Sequence, residues 1–182
     1  MACSREFKAV HSGGARFTSI IKWIGVHDEE ALTARSAAAW FANPASGGSA
    51  HLCIDDKECY RTLEDNEIPW AASNSNTNGL HIEFAGYAAW KRWQWLKHKR
   101  MLDRGADRIA KWCVKYNIPG HFINEDDMHA GKKGLVTHAT VSKYTAKYGL
   151  PGDHSHTDPG LFFPKRRLAR KVRRRMKELR AH

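Results

Sequence analysis

The segment Ser19-Ile-Ile-Lys-Trp-Ile-Gly-Val-His27 decides the fold, because β-branched and aromatic residues fill it and predict a buried β-strand. The acidic run Asp28–Glu30 follows directly and marks the end of the strand. His27 is therefore predicted at the carboxyl end of a strand. Taken alone, a histidine in that position is better explained by a hydrogen bond to a nearby backbone group than by metal binding.

A second segment, Leu80–Ala85, alternates between apolar and polar residues in the way a β-strand requires. One face carries Leu80, Ile82 and Phe84, and the other carries His81, Glu83 and Ala85. Glu83 is thus expected on a strand whose opposite face is apolar. Alternation alone also permits a solvated glutamate there.

The remaining segments alternate between helix and strand patterns, which predicts an α/β fold, a single domain with a central mixed β-sheet flanked by helices. The predicted elements are a helix at Thr33–Phe41, a hairpin of Ala50–Ile54 and Cys59–Leu63, helical sequence over Ala88–Tyr116 with a division at Gly105, a strand at Leu135–His138, a helix at Val141–Lys147, a loop at Gly149–Pro159 and a cationic helix after Pro164.

Length and composition place the chain among globular proteins. It has 182 residues, of which 42% are hydrophobic and 27% charged, enough for one domain with its own core. Its mean hydropathy is −0.61, and it has no apolar run long enough to span a bilayer. The first residues lack the apolar stretch of a secretory signal. We therefore expect a monomer that is made and kept in the cytosol unless another protein releases it.

The net charge of +11 is concentrated at one end of the chain. Residues 165–182 contain ten Lys or Arg and a single Glu, so the rest of the chain is nearly neutral. We accordingly divide the chain into a catalytic domain at residues 1–164 and a cationic C-terminal helical tail at residues 165–182. The tail predicts a densely anionic partner, or else it is a solvated helix without one.

The four cysteines, Cys3, Cys53, Cys59 and Cys113, are too few and too scattered for a disulfide scaffold. In a reducing compartment they are expected to be thiols. Because none belongs to a C-x-x-C pair, a zinc site made only of cysteines is not predicted.

Eleven histidines are present, and the densest group lies in Asp153-His-Ser-His-Thr-Asp158. Two imidazoles and a carboxylate at this spacing suit a borderline metal such as Zn²⁺. The same composition also suits a solvated loop that binds nothing.

Five segments, taken in order, make the chain resemble the zinc-dependent N-acetylmuramoyl-L-alanine amidases of phage endolysins, muropeptide-recycling enzymes and animal peptidoglycan recognition proteins. The resemblance spans about residues 18 to 164. The segments are Trp23–His27, Ala50–Asp55, Asn78–Gly86, Gly134–His138 and His156–Gly160. The resemblance implies the amidase fold and a zinc ion held by His27, His138 and Asp158.

The same resemblance implies two catalytic residues. Glu83 lies where relatives carry a catalytic Glu or a Tyr, and burial would raise its pKa toward the working pH of a general base. His156 lies where many relatives have Lys, and an imidazole there could hydrogen-bond to a developing oxyanion in a pH-dependent way. Four further residues are candidates for walls of the groove, and His154 is left without a role. The four are His51, Trp70, Asn78 and His81.

The implied reaction is hydrolysis of the amide bond between N-acetylmuramic acid and L-alanine in bacterial peptidoglycan. A phage endolysin is the first reading, held in the host cytoplasm before release to the wall, with the tail bound to anionic envelope polymers or lipid headgroups. A cytosolic muropeptide-recycling amidase is the alternative within this class. A nucleic-acid-binding protein driven by its polycation is the alternative outside it, and it predicts salt-dependent binding without a metal.

Overall fold

The computed structural model describes residues 2–181. Residue 1 of the predicted catalytic domain and residue 182 of the predicted tail lie outside this range. It contains five strands and six α-helices among these residues. The strands are β1 Trp23–Asp28, β2 Leu52–Ile54, β3 Cys59–Arg61, β4 Gly79–Phe84 and β5 Gly134–Thr137. The helices are α1 Ala34–Phe41, α2 Arg92–Lys97, α3 Lys99–Tyr116, α4 Glu125–His129, α5 His138–Lys147 and α6 Lys165–Arg180.

The strands form one mixed sheet in the order β3-β2-β4-β1-β5, which confirms the predicted fold class. β1 runs parallel to both β4 and β5, and β2 runs parallel to β4. Only β3 is antiparallel to its neighbour, as the predicted hairpin requires. The parallel pairing places the carboxyl ends of β1, β4 and β5 at one edge of the sheet.

The alternation along the strands separates two layers of the molecule. Leu80, Ile82 and Phe84 join the large apolar cluster that also contains residues of α3. The opposite face carries smaller clusters, one against α1 and one against α5. Every residue of β4 is buried, because helices cover both faces of a parallel sheet. Glu83 and His81 therefore lie in a buried layer, not on a solvated face.

The helical segment after Ala88 divides at His98, and the predicted division at Gly105 is wrong. Gly105 lies inside α3, where a Cβ atom would come within 2.3 Å of the Phe84 ring. The glycine lets the helix lie close against β4 without ending it. Within residues 2–181, no helix combines the length and the apolar character that a membrane crossing needs.

The cationic C-terminal helix α6 packs on α3. Leu168, Val172 and Met176 lie on one stripe and belong to the main apolar cluster, whereas Leu179 is 37% exposed. The charged residues occupy the rest of the helix surface, as the amphipathic pattern predicts. The division of the chain at residue 164 stays a prediction, but the buried stripe makes α6 a contributor to the core.

A disulfide joins Cys3 to Cys59, so the expectation of four thiols is wrong. The N-terminal segment runs beside the edge strand β3, where the Ser4 N–H donates to the Cys59 carbonyl and the Arg61 N–H donates to the Ser4 carbonyl. This pairing places two cysteines 56 residues apart next to each other. Cys53 and Cys113 stay buried thiols.

Candidate active site

The candidate site lies at the carboxyl edge of the sheet. β1 supplies His27 and its neighbour β4 supplies Glu83, with the two residues paired across the strands. His138 is the first residue of α5, not the last of a strand, because the Thr137 side chain accepts a hydrogen bond from the Thr140 N–H and caps the helix. The loop between α5 and α6 supplies Asp158.

The three residues expected to bind a metal come together. The Asp158 carboxylate lies between the two imidazoles, with Oδ2 2.9 Å from His27 Nδ1 and Oδ1 3.0 Å from His138 Nδ1. One ligand atom from each residue lies within 4.8 Å of the others. His27 and His138 are buried, and Asp158 is nearly so. Two nitrogen donors and one oxygen donor at this separation form a set that fits a zinc ion.

Burial and hydrogen bonds favour an ionised Asp158 and a neutral His138. Burial pushes the pKa of Asp158 upward, but hydrogen bonds with His138 and His27 outweigh burial and hold that pKa below its usual range. Burial lowers the pKa of His138, against the effect of its hydrogen bond to Asp158. An ionised carboxylate beside a neutral imidazole is the form in which these side chains bind metals.

Two further histidines lie beneath His27 in the interior. His27 Nε2 is 2.9 Å from His81 Nδ1, and the backbone N–H of His81 donates to His51 Nδ1. His51 and His81 are fully buried and do not line the cavity, so their predicted place on the groove wall is wrong. Gly25 makes the first contact possible, since a Cβ atom there would lie 2.5 Å from His81 Nδ1.

Glu83 is buried on the same face of the sheet as His27. It is 7% exposed, and its Oε2 has no hydrogen-bond partner within the described residues. Burial raises its pKa well above the usual value, and the charges of Asp158, Glu29 and Asp28 raise it further. A carboxyl group with a raised pKa and a free oxygen is suited to accept a proton and to return it.

A cavity of about 540 Å³ opens over these residues. His27, Glu83, His138 and Asp158 all line it. Trp70, which is 48% exposed, stands on its wall and stacks on His11 with the ring centroids 4.8 Å apart. Trp70 is therefore a groove residue and not a core residue. Asn78 does not line this cavity, because its side chain donates to the Ile20 carbonyl.

His156 stands at the rim of the cavity, beside the metal-ligand cluster. Its ring stacks on His138 with the centroids 3.8 Å apart, and its Nδ1 is 3.6 Å from Asp158 Oδ1. The side chain is 47% exposed, so it can reach a bound molecule. His154, to which the sequence assigns no role, lines a second cavity on the other side of the same loop.

The acidic run Asp28–Glu30 also lines the cavity, although its sequence predicts only the end of a strand. Burial raises the pKa of Asp28 to about 7. Its position directly after the predicted strand was the available signal, because residues that follow a parallel strand lie at the edge of the sheet where sites form.

Two imidazoles and a carboxylate around one point, with a buried glutamate beside them, are suited to a hydrolase that uses a metal ion. The chain belongs to the N-acetylmuramoyl-L-alanine amidase family, whose model matches residues 17–161. It is thus an enzyme of the N-acetylmuramoyl-L-alanine amidase class, acting on peptidoglycan. This membership supports the predicted amidase over the alternative of a nucleic-acid-binding protein.

Solved structures share the fold across almost the whole chain. Staphylococcus aureus hydrolase AmiA, solved in complex with its ligand, is 15% identical with a TM-score of 0.71, and the match covers 100% of this chain and 86% of that one. The catalytic domain of XlyA is 19% identical with a TM-score of 0.62, covering 94% and 99%. A mutant endolysin from Bacillus subtilis is 20% identical with a TM-score of 0.60, covering 94% and 99%. A comparison with curated proteins found no match.

Proposed function

We propose that this chain is a zinc-dependent amidase that cleaves the bond between N-acetylmuramic acid and L-alanine, and that it works as a phage endolysin. The observation that carries the proposal is the meeting of His27, His138 and Asp158 within 4.8 Å, on the wall of a cavity that Glu83 also lines. Those residues come from distant parts of the chain, and the match of residues 17–161 to an amidase family supports a hydrolytic role for them.

His27, His138 and Asp158 would hold the zinc ion. Bound there, Zn²⁺ supplies a Lewis acid that polarises a carbonyl and makes water reactive near neutral pH. The protein supports two of the three ligands from behind. His81 contacts the far nitrogen of His27, and the Ala139 backbone N–H donates to the Asp158 backbone carbonyl over 3.1 Å. Such supporting contacts orient metal ligands and strengthen binding.

Glu83 would act as general base and then as general acid. Its free Oε2 takes the proton of the water that attacks the carbonyl carbon of the lactyl group. When the carbon–nitrogen bond breaks, the same oxygen gives the proton to the departing amine of L-alanine. Burial favours this role, because it raises the pKa of the carboxyl group and so makes the carboxylate a stronger base.

His156 would stabilise the oxyanion that develops on the scissile carbonyl. It stands at the rim of the cavity, half-exposed, with its ring held against His138. A hydrogen bond from its ring N–H to the oxyanion would be stronger in the transition state than in the substrate.

Metal analysis and product analysis test the proposal together. Purified protein should contain one zinc ion per chain, and both His138→Ala and Asp158→Ala should lose that zinc together with activity. Mass spectrometry of digested wall should find new amino termini on L-alanine and no new reducing ends. Full zinc content in either variant would refute the ligand set, and new reducing ends would refute the reaction.

The endolysin assignment rests on the cationic helix α6 and on a fold shared with endolysin structures. A muropeptide-recycling enzyme would act on soluble fragments instead of intact walls. Turbidity loss of cells and hydrolysis of a soluble fragment, measured with the same preparation, separate the two. A location in the host cytoplasm before release and a monomeric state stay predictions.

We also propose that the outward face of α6 binds anionic envelope polymers or lipid headgroups. Its exposed cations include Arg166, Arg170, Arg174 and Lys177, on the side of the helix away from its buried stripe. Replacing these four with Gln keeps the buried residues and removes the charge. Binding to whole walls at low salt should then weaken, with hydrolysis of soluble fragments retained. Equal binding by both proteins would leave α6 as a solvated helix without a partner.

A further inference from the structure

The sheet face that carries His27 and Glu83 continues into the interior behind these two residues. β1 and β4 are paired there, with Gly25 opposite His81, one step behind the pair of His27 and Glu83. Because residues two apart on a strand point to the same face, the His81 ring lies behind the His27 ring. The ring centroids are 5.1 Å apart, and His27 Nε2 is 2.9 Å from His81 Nδ1.

Two glycines make room for the His81 ring. A Cβ atom on Gly25 would lie 2.5 Å from His81 Nδ1 and 3.1 Å from His27 Nε2, against both atoms of that contact. A Cβ atom on Gly79 would lie 2.7 Å from His81 Nε2, at the other nitrogen of the ring. Neither glycine is among those with a positive φ angle, so each supplies space and not an unusual backbone conformation. Glycine inside a strand, as Gly25 is, weakens that strand.

The side chain of His81 contributes little to the stability of the fold. It is fully buried, and its Nε2 has no hydrogen-bond partner within the described residues. The ring nitrogen that has a partner is Nδ1, and that partner is the candidate metal ligand His27. A buried polar group with an unpaired nitrogen is unfavourable for folding. Stability alone therefore does not explain a histidine at this position.

The two nitrogens of His27 face in different directions. Nδ1 lies 2.9 Å from Asp158 Oδ2, in the group that could hold a metal, and Nε2 faces His81. His138 also turns its Nδ1 toward Asp158. A neutral imidazole that binds a metal through one nitrogen carries its proton on the other. With Nδ1 of His27 on the metal, the proton lies on Nε2, where His81 Nδ1 is in position to accept a hydrogen bond.

His51 holds the main chain of His81 from both sides. The backbone N–H of His81 donates to His51 Nδ1, and the backbone N–H of His51 donates to the His81 carbonyl, each over 3.0 Å. These two bonds fix the backbone of His81, and the two glycines fix the space for its ring. An acceptor held in this way can in turn hold a metal ligand in one orientation.

We propose that His81 is a positioning residue for the metal ligand His27, which accepts the hydrogen bond from His27 Nε2–H and so keeps Nδ1 turned toward the metal. The inference rests on the proposed function, because it takes His27 as a zinc ligand. It adds a reason for the pairing of Gly25 with His81, which the ligand set alone leaves unexplained. Loss of such a support weakens metal binding about 10- to 100-fold.

Zinc affinity, measured on the metal-free protein by competition with a chelator, tests the proposal without an assay of activity. His81→Leu keeps a side chain of similar size but has no acceptor, and it should raise the zinc dissociation constant about 10- to 100-fold. His81→Asn places a carbonyl oxygen near the position of Nδ1 and should recover most of the affinity. Because the His81 ring is only half paired, His81→Leu should unfold at the same urea concentration as the wild type or at a higher one.

The matched control is Ile82→Val, which changes the next buried residue of β4, on the opposite, apolar face. This variant should lower the urea midpoint and leave the zinc dissociation constant unchanged. Nitrogen-15 NMR of the zinc-loaded wild type needs no variant, and it should find the imidazole proton of His27 on Nε2.

Three results would each refute the positioning role and leave the amidase proposal standing. The first is a zinc affinity of His81→Leu equal to that of the wild type, or an affinity of His81→Asn no better than that of His81→Leu. The second is a zinc affinity that falls equally in Ile82→Val, which would mean that metal binding follows stability. The third is a His27 proton on Nδ1 in the zinc-loaded protein. If the wild type binds no zinc, the proposed function fails and this inference fails with it.

Discussion

Replacing Leu168 with Ala tests whether α6 belongs to the folded core. Leu168 is 0% exposed and shares the main apolar cluster with Phe84 and Ile109. Removing a fully buried leucine side chain loses its transfer free energy and leaves a cavity, so the free energy of unfolding should fall by about 3 kcal/mol. Leu179 lies on the same helix but is 37% exposed, so Leu179→Ala should cost less than about 1 kcal/mol.

Urea unfolding followed by circular dichroism measures the free energy of unfolding of both variants. Neither substitution changes a charge on the helix. With a slope of about 2 kcal/mol per molar urea, Leu168→Ala should lower the unfolding midpoint by about 1.5 M. The shift for Leu179→Ala should be less than about a third of that. Equal and small shifts in both variants would refute the reasoning, and would mean that the helix is a detached tail as the division at residue 164 implies.

Three further predictions concern the chemistry and stability of the chain. Glu83→Gln should lower kcat by about 10²- to 10⁴-fold while the zinc content stays at one ion per chain, and full turnover would exclude Glu83 as the general base. Burial raises the pKa of Asp65, but hydrogen bonds from Tyr116, Lys115 and Arg61 outweigh burial and hold that pKa below its usual value. The contribution of Asp65 to stability is therefore complete above the unfolded-state pKa. It is lost as the pH falls toward the folded-state pKa. Asp65→Asn should cost about 2 kcal/mol at pH 7 and flatten the acid limb of the stability curve, and an unchanged acid limb would contradict that origin. Under denaturing conditions without reductant, thiol titration should find two reactive cysteines per chain, rising to four after reduction of the Cys3–Cys59 bond, and four at the outset would show that this disulfide does not form.

The parts of the fold that could be predicted are those that a short segment encodes by itself. Alternation in Leu80–Ala85 predicts which side chains point to each face, and the structure places Leu80, Ile82 and Phe84 in the main cluster as expected. The strand ending at His27 is predicted from its β-branched and aromatic residues, and the structure has it as Trp23–Asp28. Helix ends depend more on contacts with distant parts of the chain. Gly105 predicts a break between two helices, yet the neighbouring Phe84 ring makes a glycine necessary inside the helix.

The candidate site could be predicted only through the resemblance to a family, because its parts are far apart in the chain. No local spacing links His27 to Asp158, and their 2.9 Å contact exists only once the sheet and the loop are assembled. The contact of His27 with His81 depends on strand register and on the absent side chain at Gly25. The Cys3–Cys59 bond depends on a terminal segment that pairs with an edge strand, which no pattern within either segment specifies.

Strand β4 uses its odd-numbered and even-numbered residues for different purposes, with Ile82 in the main apolar cluster and Glu83 beside the cavity. If β4 slipped by one residue against β1, Glu83 would point into the main apolar cluster and Ile82 would face the substrate. Misaligned molecules would therefore be inert and not merely slow. Specific activity divided by the activity of a fully native standard is then a direct count of correctly aligned chains, which makes catalysis a sensitive gauge of refolding yield for this enzyme.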